Sequence, residues 1–203
     1  MLYELAKLTL QIGATPKAVA GIKAYVSDAK AKGTLLGCWS CEIGDLNQVA
    51  LLRGFADAEE LRAERERALE SRDPFFCRDV LTGVEMDGYA PFPGIQPIKT
   101  GALGPIYEIR TYTLKPGGLP GTIAAWQAAL PARLELSANL VVMHTIDGES
   151  RFTHIWPYRS LEQRAAIRAK SVSIGVWPPK GGPDYIAVMR NGIWLPTDIS
   201  ALT

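Results

Sequence analysis

The residues with the greatest capacity for chemistry lie in one short stretch, Tyr107-Glu108-Ile109-Arg110-Thr111-Tyr112-Thr113. In an extended chain successive side chains point to opposite faces, so Glu108, Arg110 and Tyr112 share one side and Tyr107, Ile109, Thr111 and Thr113 the other. Arg110 can hold an anionic or carbonyl oxygen by a charge-assisted hydrogen bond. Tyr112 can add a second hydrogen bond, and Glu108 can orient the arginine or take a proton. The bland alternative is a structural ion pair that fixes strand register. His144 and His154 are the two histidines of the chain. Either, placed beside Arg110, could serve as a base or as a haem ligand, and either could be an ordinary hydrogen-bonded sheet histidine. An even hairpin register would put them on opposite faces, and one bulge would bring them together. The candidate catalytic set is Glu108, Arg110, Tyr112 and His144, with no metal site and no cofactor required.

Other motifs carry less. Cys38-Trp39-Ser40-Cys41 has C-x-x-C spacing, but in a strand positions i and i+3 face opposite ways, so the two thiols are expected to be unpaired and metal-free. Lys115–Thr122, KPGGLPGT, is a glycine-rich turn without the pattern of a phosphate loop. The mixed-sign run ELRAERER is expected to be a solvated helix face. Arg65 and Arg168 fall at matching places in two helices, which suggests a shared structural role against the chain that follows each helix.

The elements that must position these residues come from a duplication. YEIRTYTLKPG (Tyr107–Gly117) restates YELAKLTLQIG (Tyr3–Gly13), an offset of 107 − 3 = 104 residues. After each opening strand comes a helix, with Thr15 as N-cap and Pro16 in the first turn in the first half, and around Ile123, Trp126, Leu130 and Leu134 in the second, where Pro131 should kink or interrupt it. A hairpin follows in each half, turning at Gly44-Asp45 and Asp147-Gly148. The second helices start at capping boxes, Asp57 with Glu60 and Ser160 with Gln163. A last strand closes each half, Val80–Met86 and Tyr185–Met189. Each half therefore reads β-α-β-β-α-β, the ferredoxin-like order, whose sheet carries helices on one face only. The economical cover for the other face is the second copy, so the fold class is α+β: tandem ferredoxin-like repeats closing an α+β barrel within one chain. The first repeat spans 1–92 and the second 106–203, joined within the Pro- and Gly-rich segment Ala90–Pro105 by a linker at 93–105.

On this plan the opening strand of the second repeat is central in its sheet. Its polar set, Glu108, Arg110 and Tyr112, is expected to face the barrel interior, with the Tyr107 set toward the helices. The equivalent face of the first copy, Glu4, Ala6 and Leu8, is mostly apolar, so the polar site is expected in the second copy alone.

YEIRTYTLKPG, EIGDLNQV, HIWPYRSLEQRAAIRA and Asp73–Phe76 (DPFF), in that arrangement, carry a resemblance. The chain resembles the NIPSNAP family in two tandem copies over nearly its whole length. The resemblance implies the same dimeric α+β barrel, and kinship with barrel-fold monooxygenases and dehydratases. The chain departs from the family pattern at Ala6 and Leu8.

Composition excludes several classes. Lys+Arg 22 against Asp+Glu 21 leaves a net charge of +1, which argues for no nucleic-acid partner. The N-terminus reads as a strand, and no apolar run approaches a bilayer span, so no membrane partner is expected. Three cysteines without a framework pattern suit a reducing cytoplasm. Three functions remain: a small-molecule enzyme without a tightly bound metal (oxygenation, dehydration or isomerisation), a non-enzymatic binding or scaffold protein, and a haem-dependent barrel enzyme. A homo-oligomer is expected.

Overall fold

A computed structural model describes all residues, Met1–Thr203. The first repeat contributes β1 (Leu2–Leu10), α1 (Thr15–Val26), β2 (Thr34–Ile43), β3 (Gln48–Phe55), α2 (Ala58–Leu69) and β4 (Leu81–Pro91). The second contributes β5 (Ile106–Leu114), α3 (Leu119–Leu134), β6 (Val141–Thr145), β7 (Arg151–Tyr158), α4 (Leu161–Ser173) and β8 (Ile186–Pro196). The strands close into one barrel in the order β1-β3-β2-β8-β5-β7-β6-β4, antiparallel throughout. Within each repeat the order is last, first, third, second, with the opening strand central. The copies meet at two seams, β2 on β8 and β4 on β6. The last strands are longer than the sequence pattern suggests, because their final residues form these seams: Tyr89, Ala90 and Pro91 pair with Thr145, His144 and Met143.

All eight strands send apolar side chains inward. Tyr3, Leu5, Trp39, Leu52, Tyr89, Tyr107, Ile109, Met143, Ile155 and Trp194 belong to one buried cluster that draws on both copies. The Trp39 and Tyr107 rings lie 5.1 Å apart across it. The C-terminal residues and the linker seal one end of the barrel. Leu202 is fully buried in the same cluster, and Gly101 in the linker bridges Leu202. The outer faces carry the helices. Ala6, Leu8, Cys38, Val49 and Leu51 pack under α1 and α2 with Ile22, Tyr25 and Phe75. Tyr112, Val142, Phe152 and Trp156 pack under α3 and α4 with Trp126 and Leu130.

Local signals act largely as their chemistry dictates. Asp57 accepts from the Glu60 amide at 2.9 Å and Ser160 from the Gln163 amide at 3.1 Å. The side chains of Glu60 and Gln163 reach back to the amides of Ala56 and Arg159. Two expectations are corrected. The N-cap of α1 is Ala14, with no side-chain cap, rather than Thr15. Helix α3 runs through Pro131 to Leu134, since the proline sits in the last turn, where little helix remains to be disrupted.

Candidate functional site

The largest correction concerns the face of β5. Tyr107 and Ile109 point into the barrel and Glu108, Arg110 and Tyr112 point out, under the helices. The reason is charge as well as bulk. The shared interior is filled by aromatic and aliphatic side chains from both copies, whereas α4 offers Arg164 and Arg168, four residues apart on one helix face, to the carboxylate. Glu108 is fully buried and its Oε1 accepts from Arg110 Nη1 at 2.6 Å, from Arg164 Nη2 at 2.5 Å and from Asn191 Nδ2 at 3.3 Å. Arg168 Nη1 lies 4.0 Å from Oε2. Burial pushes the Glu108 carboxyl up, but the Arg164 hydrogen bond and the charges of Arg110 and Arg164 outweigh it and hold it below the ordinary carboxylate value.

Arg110 remains usable. Its Nε donates to the Tyr112 hydroxyl and its Nη1 to Glu108, and Nη2 makes no hydrogen bond within the protein. Because the Tyr112 oxygen accepts from Arg110, its own O–H is free to donate. Burial raises the Tyr112 phenol, so it stays protonated. Both residues line a cleft of about 210 Å³ walled by Trp126, Trp177, Pro178, Pro179 and Ile186 and bordered by Arg168.

The two histidines share the helix-side face, because His144 pairs with Phe152 and Val142 with His154 in an unbroken register. His144 is not brought to Arg110. It is half-buried, donates from Nδ1 to the Thr145 carbonyl at 3.0 Å, and stands 6.1 Å from the Phe92 ring. His154 is the histidine at the cluster, cross-strand from Arg110 and 5.1 Å from the Tyr112 ring. Its Nδ1 accepts from Trp156 Nε1 at 2.6 Å. An indole N–H can only donate, so the imidazole proton resides on Nε2, which has no partner. Burial, followed by the charges of Arg110, Arg168 and Arg133, pushes His154 well below its ordinary value, and the ring is neutral. It is therefore a hydrogen-bond donor and not a base. Ligating a haem iron through Nε2 would return the proton to Nδ1, against the indole N–H.

The first copy fills the same space with charge. Arg53, on β3, bonds Glu4 and, at 2.6 Å, Glu64. Arg67 adds a 2.7 Å bond to Glu64, and Arg65 stands 3.5 Å from Glu4 and 2.8 Å from Asp147. The run ELRAERER is thus not simply solvated, since Glu64 is fully buried. Arg65 and Arg168 do play a matched part, each approaching the glutamate of its copy's opening strand rather than the chain beyond its helix. Arg53 was invisible to strand patterning. Only its alignment with Trp156 of the other copy, a charge opposite an indole, marked it.

Elsewhere, Lys7, Glu85, Thr111, Arg151 and Arg190 line a polar barrel mouth of about 260 Å³, where Arg151 bonds Asp87 at 2.5 Å. An apolar groove of about 720 Å³ lies between the linker and α3, with Trp126 as a wall shared with the Arg110 cleft. Cys38 lies under the helices and Cys41 against the barrel core. Burial pushes the Cys38 thiol up to about 11. No three His, Cys, Asp or Glu side chains converge as a metal site, and no helix is long and apolar enough to cross a membrane.

The NIPSNAP family model matches residues 3–76 and 107–201. The NipSnap homolog of Dictyostelium discoideum is 26% identical over 152 residues, covering 70% of this chain and 65% of that protein, so the chain spans less than two thirds of this relative's length. The fold is similar to that of an anthrone oxidase-like protein, with TM-score 0.67, 11% identity, and 97% and 91% of the two chains covered. It is also similar to a candidate monooxygenase from Fusobacterium nucleatum, with TM-score 0.62, 11% identity, and 96% and 91% covered.

Proposed function

The chain belongs to the NIPSNAP family, and we propose that it binds, and through that binding transforms, a small organic molecule in the cleft under α3 and α4 of its second copy. One observation carries this: two neighbouring donors, Arg110 Nη2 and the Tyr112 O–H, are left unspent on the wall of a cleft lined by Trp126 and Trp177. Sites that hold small molecules pair apolar walls with a few fixed polar groups, and the cleft has this composition. Arg110 and Tyr112 grip one oxygen of the ligand, Glu108 holds Arg110 in place, and the indoles cover the ligand body. Oxygenation, dehydration and isomerisation of a carbonyl-bearing substrate all build negative charge on such an oxygen, which these donors stabilise. The barrel-fold neighbours described as an oxidase-like protein and a candidate monooxygenase support that direction.

The test is recovery of a bound molecule. Native mass spectrometry of the purified protein, followed by organic extraction, should find an adduct in the wild type that is lost in Arg110→Met while the variant remains folded. An adduct that survives Arg110→Met would place the ligand elsewhere.

A further inference from the structure

The helix-side chamber of the second copy holds more positive charge than it neutralises. Four guanidiniums, of Arg110, Arg133, Arg164 and Arg168, surround the single carboxylate of Glu108. Arg133 is 3% exposed. It has a serine hydroxyl, Ser137 at 2.6 Å, and the Trp156 ring, 4.4 Å from its central carbon, as company, but no carboxylate. Burial pushes this guanidinium below its ordinary value, and Tyr158 and the charge of Glu108 offset that only in part. In the first copy, by contrast, Arg53, Arg65 and Arg67 meet two buried carboxylates, Glu4 and Glu64, and Asp147 reaches Arg65 from the second copy's hairpin.

The excess surrounds a specific space. Behind the cleft, Arg133, His154, Trp156, Tyr158, Arg168 and Trp177 enclose a void of about 10 Å³. That is room for about one water-sized atom. His154, 2% exposed and with its Nε2–H unpartnered, lines the same void. Arg168 and Trp177 line both void and cleft. A neutral N–H donor, the buried Arg133 and the partly exposed Arg168 around a one-atom void suit an anionic oxygen, and would repel a cation.

We infer that the second-copy chamber selects organic anions: a planar, apolar body in the cleft against Trp126 and Trp177, with its anionic oxygen held by the surplus arginines and His154. An aromatic carboxylate is the simplest such ligand. This rests on the cleft being a binding site, as proposed above, and adds the sign of the charge and the role of His154 as a positioning donor.

The isosteric probes 2-naphthoate and 2-naphthamide separate the two statements. In calorimetric titrations at pH 7 in chloride-free buffer, the carboxylate should bind at least about tenfold tighter than the amide, the effect expected of one charge-assisted contact. Arg168→Met, at a side chain 39% exposed and so tolerant of change, should erase that preference. His154→Gln, which keeps an N–H donor, should retain more of it than His154→Phe. The corresponding first-copy change, Arg65→Met, should leave it intact. Equal binding of the two probes overturns the anion inference and leaves the small-molecule reading standing. Heat from neither probe removes the cleft as a site and both readings with it. A loss in Arg65→Met equal to that in Arg168→Met overturns the assignment to the second copy.

Discussion

Two buried arginines show why like residues differ in what they do. Arg53 is the hub of its cluster: removing it strips Glu4 of its nearest partner and Glu64 of one of its two guanidinium partners, with both carboxylates fully buried. Arg53→Met should therefore destabilise the fold by about 3–5 kcal/mol, readable in urea unfolding. Arg110→Met leaves Glu108 still bonded to Arg164 and Asn191, so its cost should be smaller, about 1.5–3 kcal/mol, that of one charge-assisted hydrogen bond. An Arg110 effect as large as that of Arg53 would make Arg110 a structural residue and leave nothing for a ligand. His154 gives a second residue-scale prediction. Its folded value is depressed below the ordinary 6.5, because burial and the facing charges of Arg110, Arg168 and Arg133 oppose a further cation. Below pH 6.5 the unfolded chain takes up a proton that the native state refuses, so stability is full above that value and falls as pH drops toward the folded value. The slope should be about 1.4 kcal/mol per pH unit. Chemical denaturation between pH 7 and 5 should show this decline in the wild type and not in His154→Phe. The depressed carboxylates Glu64 and Glu108 lose their contribution only lower, as pH falls through their folded values beneath 4.5.

At the scale of elements, the contact of α1 with the Pro74–Phe76 turn decides the sign of a substitution. A glycine inside a helix ordinarily gains about 0.5–1 kcal/mol on replacement by alanine. Gly21 lies in α1, but a Cβ there would stand 2.2 Å from the Phe76 carbonyl oxygen. That oxygen is backbone, in a turn where Phe75 and Phe76 already have φ of 55° and 51°, so it cannot swing aside as a side chain would. Gly21→Ala should therefore destabilise, by about 1–3 kcal/mol, and a denaturation midpoint raised above the wild type would contradict the packing. In the second copy α4 does what α2 does in the first, but exchanges partners: Ile167 stands where Glu64 stood and Arg164 where Leu61 stood, so the carboxylate count falls while α4 gains an arginine facing Glu108.

At the scale of the whole molecule, each sheet has one face that only the other copy covers. The interior cluster takes Tyr3, Leu5 and Trp39 from one half and Tyr107, Ile109 and Trp194 from the other. Neither half should stay soluble alone, since its inner face would be a large exposed apolar surface. Co-expressed fragments 1–92 and 93–203 should pair through the seams β2–β8 and β4–β6 and purify together in equal amounts. Independent, monomeric folding of either fragment would show that the barrel is not the cooperative unit.

The sequence alone determined the parts that depend on local rules. The offset repeat, the hairpin turns, the two capping boxes and the alternation along β5 all follow from short-range chemistry, and together they specify two ferredoxin-like units in one barrel. Alternation assigns Glu108, Arg110 and Tyr112 to one face but cannot say which face is inward, because β5 is buried on both sides and each side looks equally acceptable to a pattern. That decision belonged to partners distant in sequence: Arg164 and Arg168 on α4 drew the carboxylate outward, and the tyrosines and tryptophans of both copies claimed the interior. The same holds for His154, whose role depends on an indole two residues away along its own strand and on guanidiniums from β5, α3 and α4. Buried charge costs too much to be placed by local preference, so its position is settled only when the tertiary structure has assembled its counter-charges.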